Sequence, residues 1–116
     1  MTRARLRLGA EGEDQAAAWY VANGYDVVAR NWRCREGEID IIAVRGRTLV
    51  ICEVKTRSSD AFGHPAEAVG FRKQQKLRAL ARLWLDSEAG VVRPGEIRFD
   101  VAAVLAGELD VIEAAF

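Results

Sequence analysis

The chain has few of the residues that tie a fold together covalently or through soft metal ligands. Of its 116 residues only two are cysteine and one is histidine. Cys34 and Cys52 are neither spaced as a zinc site nor numerous enough for a disulfide framework. With two prolines and no repeat it is not a low-complexity chain either. It also lacks an excess of either charge: 17 basic residues balance 17 acidic ones, so the totals do not mark a strongly basic nucleic-acid binder. No apolar run approaches the ~20 residues a membrane span requires, and no signal peptide is expected before the first element. The expectation is a cytoplasmic protein with no membrane association. At this length it is a single domain, 1–116, with one real core.

Charge is nevertheless unevenly placed. From Ala68 to Leu85 five basic residues (Arg72, Lys73, Lys76, Arg78, Arg82) occur with no acid, while Glu108, Asp110 and Glu113 make the tail acidic. Arg3, Arg5 and Arg7 form a second basic cluster.

The order of elements follows from periodicity and stop signals. Gly9 to Asn23 is alanine-rich and helix-favouring, and Asn23-Gly24 ends it. Its apolar stripe reads Ala17, Tyr20 and Val21, with Glu13 on the same stripe a turn earlier. Strands are expected at Tyr25–Arg33, Glu38–Val44, about Leu49–Arg57 and Ile97–Ala106, with a short fifth at Leu109–Ile112. A polar loop over Ser58–Pro65 leads to a helix from about Ala66 to Ser87. There Leu77, Leu80, Ala81 and Trp84 fall at i, i+3, i+4 and i+7. A loop is expected over Glu88 to Glu96. The fold class is α/β, a mixed sheet flanked by helices.

The third strand carries the chemistry. In "LVICEVKT" Leu49, Ile51, Glu53 and Lys55 alternate onto one face, so an apolar face ends in charge. Cys52 falls on the other face with Val50 and Val54, as a buried free thiol. Whether the preceding loop is Gly46-Arg47 or Arg45 to Thr48, Val44 pairs with Leu49, and Asp40 then faces Glu53. Opposed residues have Cβ atoms only ~4.5–5.5 Å apart. A three-residue loop would separate the two carboxylates onto opposite faces. Facing carboxylates cost stability and call for a cation. Lys55 is one, but paired hard oxygen ligands also suit Mg²⁺ or Mn²⁺, with the backbone carbonyl of Val54 as a further ligand. Such a metal site beside a lysine fits phosphodiester hydrolysis, in which Lys55 orients water or stabilises charge. Lys73 lies on the core stripe of the second long helix, one turn before Leu77, and Lys76 flanks it; both read as a snorkelling edge of the helix that can contact phosphate if its N-terminal end faces the site. Glu13 reads either as a further acid of the site or as an acid favoured by the helix dipole. His64 reads as incidental, Arg98 and Asp100 as an ion pair, and the three tryptophans as packing.

"GEIDII" followed by "VICEVKTR" resembles the signature of the PD-(D/E)xK nuclease superfamily. With Gly12-Glu13, Asn31 to Arg33, "KQQK" and "RFD", the chain is similar throughout to the YraN-like family of small bacterial proteins. The resemblance implies a restriction-endonuclease-like αβββαβ core related to Holliday-junction resolvases. It implies Asp40 and Glu53 as metal ligands, Lys55 as the catalytic lysine and Glu13 as a helix-borne acid, with Arg57 of the "EVKTR" motif as a nucleic-acid contact. The proline of the nominal motif is replaced by Ile39, which touches no ligand. The expected function is a Mg²⁺- or Mn²⁺-dependent endonuclease on structured or branched DNA. The alternatives are a module on the same fold that binds nucleic acid without cutting it, and a pure interaction protein. Analogy with the resolvases implies a homodimer, and zero net charge implies a protein partner that delivers the substrate.

Overall fold

The computed structural model describes residues 3–58, 69–87 and 93–116, the side chains of 3–8 excepted. His64, the expected helix start at Ala66, most of the 88–96 loop and the Arg3, Arg5 and Arg7 side chains lie outside the described residues. The elements are α1 (Arg3–Ala22), β1 (Asp26–Cys34), β2 (Gly37–Arg45), β3 (Thr48–Arg57), α2 (Phe71–Ser87), β4 (Glu96–Leu105) and β5 (Glu108–Ile112).

The five strands form one sheet in chain order. All neighbours are antiparallel except β3 and β4, which run parallel with α2 as their crossover. This is the αβββαβ core expected from the residue pattern, with β5 added at the edge. The fold is α/β, with a mixed sheet between two helices.

Each face of the sheet carries its own apolar layer. On one side Leu77, Leu80, Ala81 and Trp84 of α2 meet Ile39, Ile42, Leu49, Ile51, Phe99 and Val101. On the other, Ala16, Ala17 and Tyr20 of α1 meet Ile41, Ala43, Val50, Cys52 and Ala102. Strands covered on both faces must be apolar on both, which is why β3 and β4 read as continuous hydrophobic runs. Among the described residues no helix is long and apolar enough to cross a membrane.

α1 starts well before Gly9, because Arg and Leu are good helix formers and the two glycines, Gly9 and Gly12, do not stop them. Val21 is exposed rather than part of the buried stripe, which consists of Ala16, Ala17 and Tyr20. The helix ends in a Schellman motif: Tyr25 N–H donates to the Tyr20 carbonyl and Gly24 N–H to that of Val21, with Gly24 at φ 85°.

The β2–β3 turn has two residues. Arg45 pairs with Thr48, and Gly46 takes φ 59° at the position where a type II′ turn places its glycine. The register that follows, Val44 with Leu49 and Ile41 with Cys52, is the one an even-numbered loop requires.

Candidate active site

β2 and β3 part company one residue before Asp40 would meet Glu53. Their ladder ends at Ile41–Cys52, whereas β3 stays paired with β4 to Arg57. The pleat of β2 slips at the same place: Ile41 faces α1, yet both Ile42 and Ile39 face α2. Two ionised carboxylates held squarely opposite each other are unfavourable. The slip lets Asp40 turn toward β3, where Val54 N–H donates to its Oδ2 at 2.8 Å. In a strand the N–H and C=O of one residue point to the same side, so the Val54 carbonyl also faces this opening.

Glu53 closes the buried run of β3 and is 6 % exposed. Both its oxygens face lysines: Lys55 Nζ is 4.0 Å from Oε1, and Lys73 Nζ is 3.5 Å from Oε2. Lys55 arrives by strand alternation. Lys73 arrives because the Leu77–Trp84 stripe seats α2 on the sheet and leaves its first turn above Glu53. Asp40 has its carboxyl pushed up to about 7, first by burial and then by the charge of Glu53, while the Val54 N–H pulls the other way.

Glu13 lies beside this pair rather than within it. Gly12 lets α1 approach β3 closely, since a Cβ there would run into the Thr56 hydroxyl. Glu13 Oε1 accepts from Arg30 Nε at 3.0 Å and from Asn31 Nδ2 at 2.9 Å. Arg30 also donates to Asp14 at 2.6 Å, and these two acids raise its pKa. Asn31 adopts φ 51°, a left-handed conformation that asparagine tolerates better than most residues. Pattern reasoning finds no role for Arg30; the only sign for Asn31 is its place in the motif string. Among the described residues no three His, Cys, Asp or Glu side chains converge as metal ligands.

The remaining expected contacts are spread more widely. Lys76 lays its stem across Gly37 at the start of β2, where a Cβ would stand 3.1 Å from its Cε. Arg57 ends β3, and its Nη1 donates to the Thr56 carbonyl at 3.4 Å. Arg98 and Asp100 form the expected ion pair, at 2.9 Å, within a larger network. Asp100 is wholly buried and also accepts from Tyr20 Oη at 2.6 Å and from Ala114 N–H at 3.0 Å. Arg98 donates further to Tyr25 Oη. Hydrogen bonding to Asp100 raises the pKa of Arg98, and burial raises that of Tyr20. This network holds α1, β4 and the C-terminal segment together. Cys52 is a free buried thiol whose pKa is pushed up to about 12 by burial, so it stays protonated and unreactive.

The donor set suits a hard divalent cation. Asp40, Glu53 and the Val54 carbonyl supply oxygens only, and burial together with the charge of Glu53 makes the Asp40 carboxylate unfavourable without a further cation. Mg²⁺ commonly takes one or two carboxylates and leaves its other positions to water and phosphate. Asp40, Glu53 and the Val54 carbonyl are the groups that would hold it.

An αβββαβ sheet with an Asp on the second strand and Glu-x-Lys on the third defines a restriction-endonuclease-like protein. A family model described as "Uncharacterised protein family UPF0102" matches residues 12–104. The chain belongs to this family, the YraN-like proteins of the restriction-endonuclease-like superfamily. A UPF0102 protein of Beutenbergia cavernae is 53% identical over 103 residues, covering 89% of this chain and 86% of the relative. One from Streptomyces griseus subsp. griseus is 53% identical over 102 residues, 88% of this chain and 85% of its own length. One from Nocardia farcinica is 52% identical over 98 residues, 84% and 76% respectively.

Proposed function

We propose that the chain is a Mg²⁺- or Mn²⁺-dependent endonuclease that hydrolyses phosphodiester bonds in structured or branched DNA. The observation that carries this reading is the half-buried Asp40 carboxyl beside the buried Glu53 at the opening between β2 and β3, with Lys55 and Lys73 on Glu53. A cation bound there supplies Lewis acidity to a phosphoryl oxygen and to the attacking water. Asp40 and Glu53 hold the site ionised. Lys55, fixed on the sheet, orients the attacking water or stabilises charge that develops on the phosphate. Glu13, restrained by Arg30 and Asn31, offers a second acceptor at the margin. Lys73, Lys76 and Arg57 contact the nucleic-acid backbone. Those contacts carry position rather than sequence, in keeping with a structure-selective enzyme.

The test is a cleavage screen across four-way junctions, flaps, single strands and RNA with Mg²⁺ and Mn²⁺. Cutting of a branched DNA that disappears in Asp40→Ala and Glu53→Ala, with both variants folded, is the expected result. Activity retained in both variants refutes the assignment.

A second reading has its own support in the acid-free basic stretch Arg72 to Arg82 on α2. It is a nucleic-acid-binding module without cleavage. In that case Asp40→Ala binds DNA as well as the parent or better, and Lys73 and Lys76 variants weaken binding and flatten its salt dependence.

A further inference from the structure

The two lysines on Glu53 differ in how firmly they are placed. Lys55 stands on a strand, two residues from Glu53, with its side chain 26% exposed. Lys73 reaches across from the first turn of α2, has the shorter contact at 3.5 Å and is 41% exposed. A divalent cation held between Asp40 and Glu53 needs a Glu53 oxygen that an ammonium now faces. Two cations cannot share that oxygen without repulsion at short range. Lys73 is the one free to leave, because its long stem can carry the charge into solvent while the helix stays seated through Leu77, Leu80 and Trp84.

We infer that Lys73 is a built-in competitor of the metal: it neutralises Glu53 in the metal-free chain and is expelled when the cation binds. The expelled ammonium stands at the edge of the site, free to meet a phosphate. Metal loading therefore converts an internal ion pair into a nucleic-acid contact, so that the backbone-binding surface is completed only when the metal is present. This inference rests on the proposed metal site and adds a coupling to it.

The test is calorimetric titration of Mn²⁺ into the full chain at pH 8, where proton competition for Asp40 is small. Lys73→Met keeps the apolar stem and removes the charge. It is expected to bind Mn²⁺ about twofold to fivefold more tightly than the parent, the span an ion pair of this exposure allows. Lys76→Met, one charge fewer on the same helix but away from Glu53, is expected to match the parent. Equal affinities in the parent and Lys73→Met overturn the competitor role and leave the metal site standing. Equal tightening in both lysine variants reduces the effect to general charge and also overturns it. A parent that binds no Mn²⁺, or binds it as well after Asp40→Ala, removes the metal site itself. Without metal, Glu53→Gln is expected to tighten binding to a labelled four-way DNA junction by releasing Lys73. In a Lys73→Met background the Glu53→Gln change should bring no gain, whereas in a Lys76→Met background, itself a weaker binder, it should still bring most of it. Loss of the gain in both backgrounds counts against a freed Lys73.

Discussion

Replacing Asp40 with asparagine removes a charge that the fold resists while keeping the acceptor for Val54 N–H. In the folded chain the carboxyl titrates at about 7 against an ordinary value of 3.8. Between those pH values the folded chain binds more protons than the unfolded one, so stability falls as pH rises. The cost is absent below about pH 4, grows through the interval and is complete once the pH passes about 7. At 1.36 kcal/mol per unit, a rise of about three units caps the full cost near 4 kcal/mol. About one of those units lies below pH 5 and about two lie between pH 5 and pH 7. Asp40→Asn should therefore gain about 2–3 kcal/mol more over the parent at pH 8 than at pH 5. Urea unfolding followed by tryptophan fluorescence measures this, since Trp84 is buried in the core and will report its loss. Chelator must be present, because a bound cation would stabilise the parent by mass action. A variant equally shifted at both pH values, or less stable than the parent at pH 8, would refute the reasoning. The gain in stability should accompany loss of any cleavage, as expected of a site held against its own electrostatics.

Two further outcomes test the scaffold. Gly12→Ala should destabilise the chain by about 1–3 kcal/mol through its clash with Thr56, and Thr56→Ala should restore much of the loss in the double variant, as read from urea midpoints. Asp100→Asn leaves the Arg98 guanidinium only the exposed Glu113, 3.6 Å away, as a charged partner and should cost about 2–4 kcal/mol, whereas Tyr20→Phe should cost only about 1–3 kcal/mol.

Much of this arrangement was legible in residue order. The two-residue turn at Gly46-Arg47 set the β2–β3 register, and the Leu77–Trp84 spacing chose the buried face of α2. Those are local signals with a strong period. The slip at Asp40 was not legible, because a pleat defect reflects the balance between opposed carboxylates and a backbone donor that only the assembled sheet provides. The clamp on Glu13 comes from β1, and the bond from Tyr20 to Asp100 spans 80 positions, so neither leaves a trace in periodicity. Val21 misled for a related reason. An apolar residue one position beyond the stripe points away from the sheet, and many apolar residues stay on protein surfaces.

The Gly46-Arg47 turn begins six residues beyond Asp40 along β2, or ~20 Å of extended chain. At that distance it touches no substrate and looks like dispensable surface. Yet strand pairing transmits the choice of closing pair, Arg45 with Thr48, to the far end of the hairpin as a phase carried by every intervening pair. A residue inserted and absorbed in the loop leaves that phase unchanged. One taken up by β3 at a loop of fixed length moves β3 by one place against β2 and brings Cys52 instead of Glu53 to Asp40, unless a bulge elsewhere restores the count. The turn is therefore free in length only while Arg45 and Thr48 stay paired, so what this end of the hairpin must keep is the pair that closes the loop and not the size of the loop.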